Sequence, residues 1–129
     1  MTDFLYSDYT YKVRGAIFNV YNELKYGHKE QVYQKALAAE FTEKGIPFKR
    51  EADLSVLYKG EKVGNYRPDF LVYDKIIIEL KAVEFIPEIY KKQLLQYLKS
   101  TGFQLGLLVN FGSPKLYIQR FIYTPNSQS

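Results

Sequence analysis

Asp69, Glu79 and Lys81 stand where an apolar hairpin should carry no charge. They belong to the stretch RPDFLVYDKIIIELK, Arg67 to Lys81, which otherwise reads as two apolar strands around a short turn. Alternate residues of a strand face opposite sides. With the loop Tyr73-Asp74-Lys75, Val72 pairs with Ile76, and Phe70, Val72, Ile76, Ile78 and Leu80 form one wholly apolar face. A loop of Asp74-Lys75 alone would pair Phe70 with Glu79 and mix the faces, so the first register is expected. It sets Asp69 opposite Glu79, their Cβ atoms about 5 Å apart, with Lys81 one pleat beyond Glu79 on the same face.

Two carboxylates this close repel, and one tends to keep its proton. A hard divalent cation relieves the conflict. Mg²⁺ takes one or two carboxylates and fills its other positions with water and phosphate oxygens. The Lys81 ammonium can hold or polarise a metal-side water, or neutralise charge growing on a phosphate. The plain alternative is an ion cluster, with Lys81 on Glu79 and with Asp69 capping a turn or meeting Arg67. Charges set among apolar residues are costly unless paired or metal-bound, so both readings stay open here.

The elements that must position these residues follow from periodicity. Val13, Ala16, Ile17, Val20, Tyr21 and Leu24 recur at helical spacing and predict a helix from Tyr11 to Lys25. A second helix is expected over about Lys29 to Lys44, with Val32, Ala36, Leu37 and Phe41 inward, Gly45 just past its end and Pro47 barring continuation. Strands are expected over Ala52–Tyr58, over Val63–Tyr66 after a Lys59-Gly60 turn, and in the hairpin itself. Pro87 opens a third helix that runs to about Ser100 and is closed by Gly102. Leu105–Phe111 and Lys115–Tyr123 complete the set around a Gly112-Ser113-Pro114 turn. The order α-α-β-β-β-β-α-β-β predicts a mixed α/β fold, one mixed sheet flanked by helices. The strand–helix–strand step from Ile76 to Phe111 reads as a parallel crossover.

The length, 129 residues, predicts a single domain, with loose ends at about 1–9 and 124–129. No cysteine is present, which excludes disulfides and cysteine-based zinc sites and suits a reducing cytoplasm. No apolar run is long enough to span a membrane and no signal peptide is expected. The formal charge of +4 permits a nucleic-acid partner without demanding one. The 13 tyrosines suit half-buried surfaces, such as a homodimer interface or a base-stacking platform, as well as the rim of a small core.

Pro68-Asp69 followed by Glu79-Leu80-Lys81 resembles the signature of the PD-(D/E)xK nuclease superfamily. Gln93-Leu94-Leu95-Gln96-Tyr97 adds the Q-x-x-x-Y pattern of its exonuclease-like branch, with Gln93 and Tyr97 on one helix face. Gly27-His28-Lys29-Glu30-Gln31-Val32-Tyr33 reads G-x-x-E-x-x-Y, and with the NYRPDFLV, IIIELKAVE, QLLQYLKSTG and LGLLVNF blocks the chain looks like a GxxExxY protein from about Val13 to Arg120. Members often carry Gly-Pro-Gly before the helical motif, where this chain has Lys25-Tyr26-Gly27. The resemblance implies a restriction-endonuclease-like core. It assigns Asp69, Glu79 and the Leu80 carbonyl to Mg²⁺ or Mn²⁺, with Glu30 as a further ligand or water-orienting acid. By the same analogy Lys81 serves the attacking water, and Gln93 and Tyr97 sit over the site to contact phosphate or Lys81. Tyr33 reads better as core than as catalytic, and His28, the one histidine, as an exposed loop residue.

The function these readings imply is metal-dependent hydrolysis of phosphodiester bonds, with DNA ahead of RNA as substrate. Two alternatives remain at this level. One is a non-catalytic nucleic-acid-binding or assembly module on the same fold. The other is a homodimer that resolves four-way DNA junctions.

Overall fold

The computed structural model describes residues 5–125 and has the element order α1 (Ser7–Leu24), α2 (Glu30–Glu43), β1 (Phe48–Arg50), β2 (Leu54–Tyr58), β3 (Glu61–Tyr66), β4 (Phe70–Val72), β5 (Ile76–Lys81), α3 (Glu88–Thr101), β6 (Leu105–Asn110) and β7 (Tyr117–Ile122). The fold class is the mixed α/β one expected. A five-stranded sheet in the order β1-β4-β5-β6-β7 has β5 and β6 parallel and every other pair antiparallel.

Several details differ from the sequence reading. The short edge strand β1, which pairs Phe48 with Val72, has no counterpart in it. The β2–β3 hairpin forms a sheet of its own instead of joining the main one. A bulge between Val56 and Leu57 interrupts its ladder, and Leu54, Val56 and Tyr66 pack it on the α3 side of the main sheet. Helix α1 begins at Ser7, ahead of the expected Tyr11, and of the expected loose ends residues 1–4 and 126–129 lie outside the described set.

The sheet is buried on both faces. On one, Val13, Ala16, Ile17 and Val20 of α1 and Tyr33, Leu37 and Phe41 of α2 meet Phe70, Val72, Ile76, Ile78 and Leu80. On the other, Leu94 and Leu98 of α3 meet Leu71, Ile77 and Leu108. The expected α2 stripe holds at Leu37 and Phe41, with Ala36 packed beside them, and fails only at Val32. Val32 is 40% exposed, while Tyr33 is buried with its ring stacked flat on Phe111 at 4.6 Å. Gly45 takes the left-handed conformation (φ 69°) past α2, where Ile46 N–H reaches the Phe41 carbonyl and Gly45 N–H that of Thr42. Among the described residues no helix is long and apolar enough to cross a membrane.

The candidate active site

The hairpin adopts the register derived from its alternation. Phe70 pairs with Ile78, Leu71 with Ile77 and Val72 with Ile76. The ladder stops at Phe70, and side chains take over its hydrogen bonding. Asp69 N–H donates to Glu79 Oε1 at 3.0 Å, and Leu80 N–H donates to Asp69 Oδ2 at 2.7 Å. Each carboxylate is thus held by the main chain of the opposite strand, which fixes the pair more firmly than side-chain rotamers alone.

Burial sets the electrostatics. Desolvation first, then the Asp69 charge, pushes the Glu79 carboxyl up to about 7. Asp69 is also pushed up by desolvation, against the lowering effect of the Leu80 N–H bond. Glu30, the first residue of α2, is raised by desolvation and then by Asp69, with Lys81 opposing. Gln34, one turn further along α2, donates to Asp69 Oδ1 at 3.1 Å and to Glu30 Oε2 at 3.5 Å, and so ties the helix to the hairpin.

Lys81 takes no part in an ion cluster. Among the described residues its ammonium has no carboxylate within ion-pair distance, and Arg67 pairs with Asp53 at 3.8 Å instead of Asp69. The ammonium lies 4.3 Å from the centre of the Tyr90 ring, an aromatic support that leaves its charge available. The strand end that carries Lys81 is pinned from β6. The Asn110 amide donates to the Val83 carbonyl at 2.8 Å and accepts from Val83 N–H at 3.0 Å, and Phe111 N–H donates to the Lys81 carbonyl. Gly112 lies so close to this segment that a Cβ there would sit 2.2 Å from Val83 N.

Six residues singled out by motif therefore gather at one end of the sheet. Glu79, Lys81, Gln93 and Tyr97 line one narrow cleft of about 20 Å³, together with Tyr90, and Asp69 and Glu30 adjoin from the hairpin and α2. The Tyr97 ring lies flat on that of Tyr66, centroids 3.8 Å apart and 4° from parallel. Motif reading passes over Gln34, Tyr66 and Tyr90. Gln34 sits four residues after Glu30, and Tyr90 three before Gln93, so helical spacing already puts both on the working faces. A larger hollow of about 560 Å³ between α1 and α2 is lined by Glu23, Glu40 and Glu43 and none of these residues.

The G-x-x-E-x-x-Y residues each have a physical role. Gly27 turns the chain at φ 113°, and Glu30 faces the carboxylate pair. The buried Tyr33 hydroxyl donates to the Lys25 carbonyl and accepts from His28 N–H, which sets the entry into α2. His28 itself is exposed.

The donor set fits a hard divalent ion. Among the described residues no group of three His, Cys, Asp and Glu side chains could hold a metal. Two carboxylates with water, main-chain or substrate oxygens suit Mg²⁺, which keeps several waters and seldom takes an all-protein cage. The weakened acidity of both carboxyls marks a pair in need of positive charge.

A model of the PD-(D/E)XK nuclease superfamily matches residues 7–121. Among solved structures, the chain is similar to the alkaline exonuclease LHK-Exo of Laribacter hongkongensis, with a TM-score of 0.54 and 18% identity over 76% of this chain and 58% of that one. It is also similar to the protein SSO0001, with a TM-score of 0.52 and 19% identity over 71% of this chain and 50% of that one. At such identity the likeness is one of fold, and the chain spans only 50% to 58% of the length of these structures. No curated protein matches it.

Proposed function

The chain belongs to the PD-(D/E)XK nuclease superfamily, and we propose that it hydrolyses phosphodiester bonds of nucleic acid, DNA ahead of RNA, with a divalent metal held by Asp69 and Glu79. The closer reading as a GxxExxY protein rests on the roles of Gly27, Glu30 and Tyr33. The observation that carries the proposal is the Asp69–Glu79 pair, laced by main-chain N–H groups, with Lys81 beside it in no ion pair among the described residues.

Asp69, Glu79 and the Leu80 carbonyl would hold Mg²⁺ or Mn²⁺. When bound, such an ion polarises a phosphoryl oxygen and makes its water more acidic. Gln34, which also donates to Glu30, steadies the Asp69 carboxylate through Oδ1. Lys81, held on Tyr90, directs its ammonium into the cleft, where it orients the attacking water and offsets charge gathering on the phosphate. Gln93, at the exposed rim, is placed to hydrogen-bond a phosphate oxygen.

The test is a panel of labelled single-stranded, duplex and four-way-junction DNA and of RNA, incubated with Mg²⁺ or Mn²⁺. Cleavage that EDTA abolishes and Asp69→Asn slows by orders of magnitude is expected. Cleavage at the parent rate in Asp69→Asn would remove the assignment, and salt-sensitive binding without turnover on any substrate would leave a binding module. Symmetric nicks confined to the junction would mark a resolvase.

A further inference from the structure

Tyr66 ends β3, three residues before Asp69. It is 5% exposed, its hydroxyl oxygen is shut off from solvent, and no hydrogen bond of ordinary geometry satisfies it. A buried hydroxyl needs an acceptor, because leaving it without one is a standing cost. The charged group that acts on this hydroxyl most strongly is Glu79, with Asp69 behind it, and burial and these two charges drive its acidity far down. The ring cannot turn away, because the Tyr97 ring lies parallel against it at 3.8 Å. Tyr97 in turn comes from α3 and lines the same cleft as Glu79.

We propose that Tyr66 is a positioning residue for Glu79, and that Tyr97 acts through it. The Tyr66 O–H closes onto the charged Glu79 carboxylate and fixes its orientation beside Asp69. The stacked Tyr97 ring holds the Tyr66 ring in the plane that permits this. The tyrosine of the Q-x-x-x-Y pattern then works by its face and not by its hydroxyl. This inference rests on the reading of Glu79 as a metal-holding carboxylate. It follows a general pattern in which groups bonded to a ligating carboxylate tune metal affinity by roughly 10- to 100-fold.

Three variants separate the possibilities, each measured by Mn²⁺ calorimetry at pH 8 and by single-turnover cleavage. Tyr66→Phe keeps the stack and removes only the hydroxyl, and circular dichroism should find it folded as the parent is. It should weaken Mn²⁺ binding about 10-fold and lower the cleavage rate without changing the concentration of substrate needed for half saturation. Tyr97→Phe keeps the ring and should lose far less Mn²⁺ affinity than Tyr97→Leu, which should reproduce the Tyr66→Phe loss. Parent-like Mn²⁺ affinity in Tyr66→Phe would overturn the proposal. So would a Tyr97→Phe defect as large as that of Tyr97→Leu, which would put the Tyr97 hydroxyl on the substrate. Failure of the parent protein itself to bind Mn²⁺ is a separate result that removes the metal-site reading beneath it.

Discussion

Replacing Glu79 by Gln should stabilise the metal-free protein above pH 7. The Glu79 carboxyl is raised from 4.5 to about 7 in the folded chain, chiefly by burial. Between those values the native state keeps a proton that the unfolded chain has released, so stability falls as pH rises. The contribution is complete below about pH 4.5 and gone above about pH 7. A difference of that size corresponds to about 3 kcal/mol. Gln cannot ionise and still accepts the Asp69 N–H, so Glu79→Gln escapes the loss. In urea titrations with EDTA, followed by circular dichroism from pH 5 to pH 8.5, parent and variant should agree near pH 5. By pH 8 they should diverge, with the variant more stable by about 3 kcal/mol, or roughly 10 °C in melting temperature. Saturating Mn²⁺ at pH 8 should rescue the parent and leave the variant unchanged. Parallel stability–pH curves would refute the reasoning, because Glu79 would then be ionised in the native state at no cost.

Three further substitutions test the supports of the site. Gly112→Ala places a Cβ 2.2 Å from Val83 N and 2.4 Å from the Ala82 carbonyl carbon. It should cost about 3 kcal/mol in urea titrations and slow cleavage by shifting Lys81; stability within about 0.5 kcal/mol of the parent, the spread of ordinary surface changes, would contradict this packing. Tyr33→Phe keeps the stack on Phe111 but frees the Lys25 carbonyl and His28 N–H. About 1–2 kcal/mol of lost stability is expected, with faster amide exchange at His28 as the local sign. Tyr90→Leu removes the ring under the Lys81 ammonium, and the single-turnover rate should fall about 3- to 10-fold, the equivalent of one cation–π contact, with Mn²⁺ affinity unchanged.

Much of the site is legible in the sequence because strand alternation is strict. Five apolar residues must share one face, which leaves a single register for the hairpin and puts Asp69 opposite Glu79 on pattern alone. The same logic cannot decide whether Lys81 closes on Glu79, since that depends on Tyr90 arriving from α3. Gln34 and Tyr66 are hidden for a related reason: their importance comes from which helix face covers the sheet's end and which ring lands on which. Strand β1 has three residues and no alternation to read, and its partner β4 lies some twenty residues further along the chain. The β2–β3 ribbon has the periodicity of any half-buried strand pair, so nothing local reveals that it stands apart from the main sheet. On α2 the stripe misplaces Val32 because Tyr33, polar at its tip, is buried by virtue of a main-chain partner that the pattern cannot see.

The central claim is that the carboxylate pair and Lys81 form one catalytic unit. Single-turnover cleavage by the parent, Asp69→Asn, Lys81→Met and the double variant, at saturating Mg²⁺, tests it most directly. Groups that act as a unit are not additive, so the double variant should be no slower than the slower single one. Losses that multiply, or a Lys81→Met variant that cleaves at the parent rate, would contradict the account.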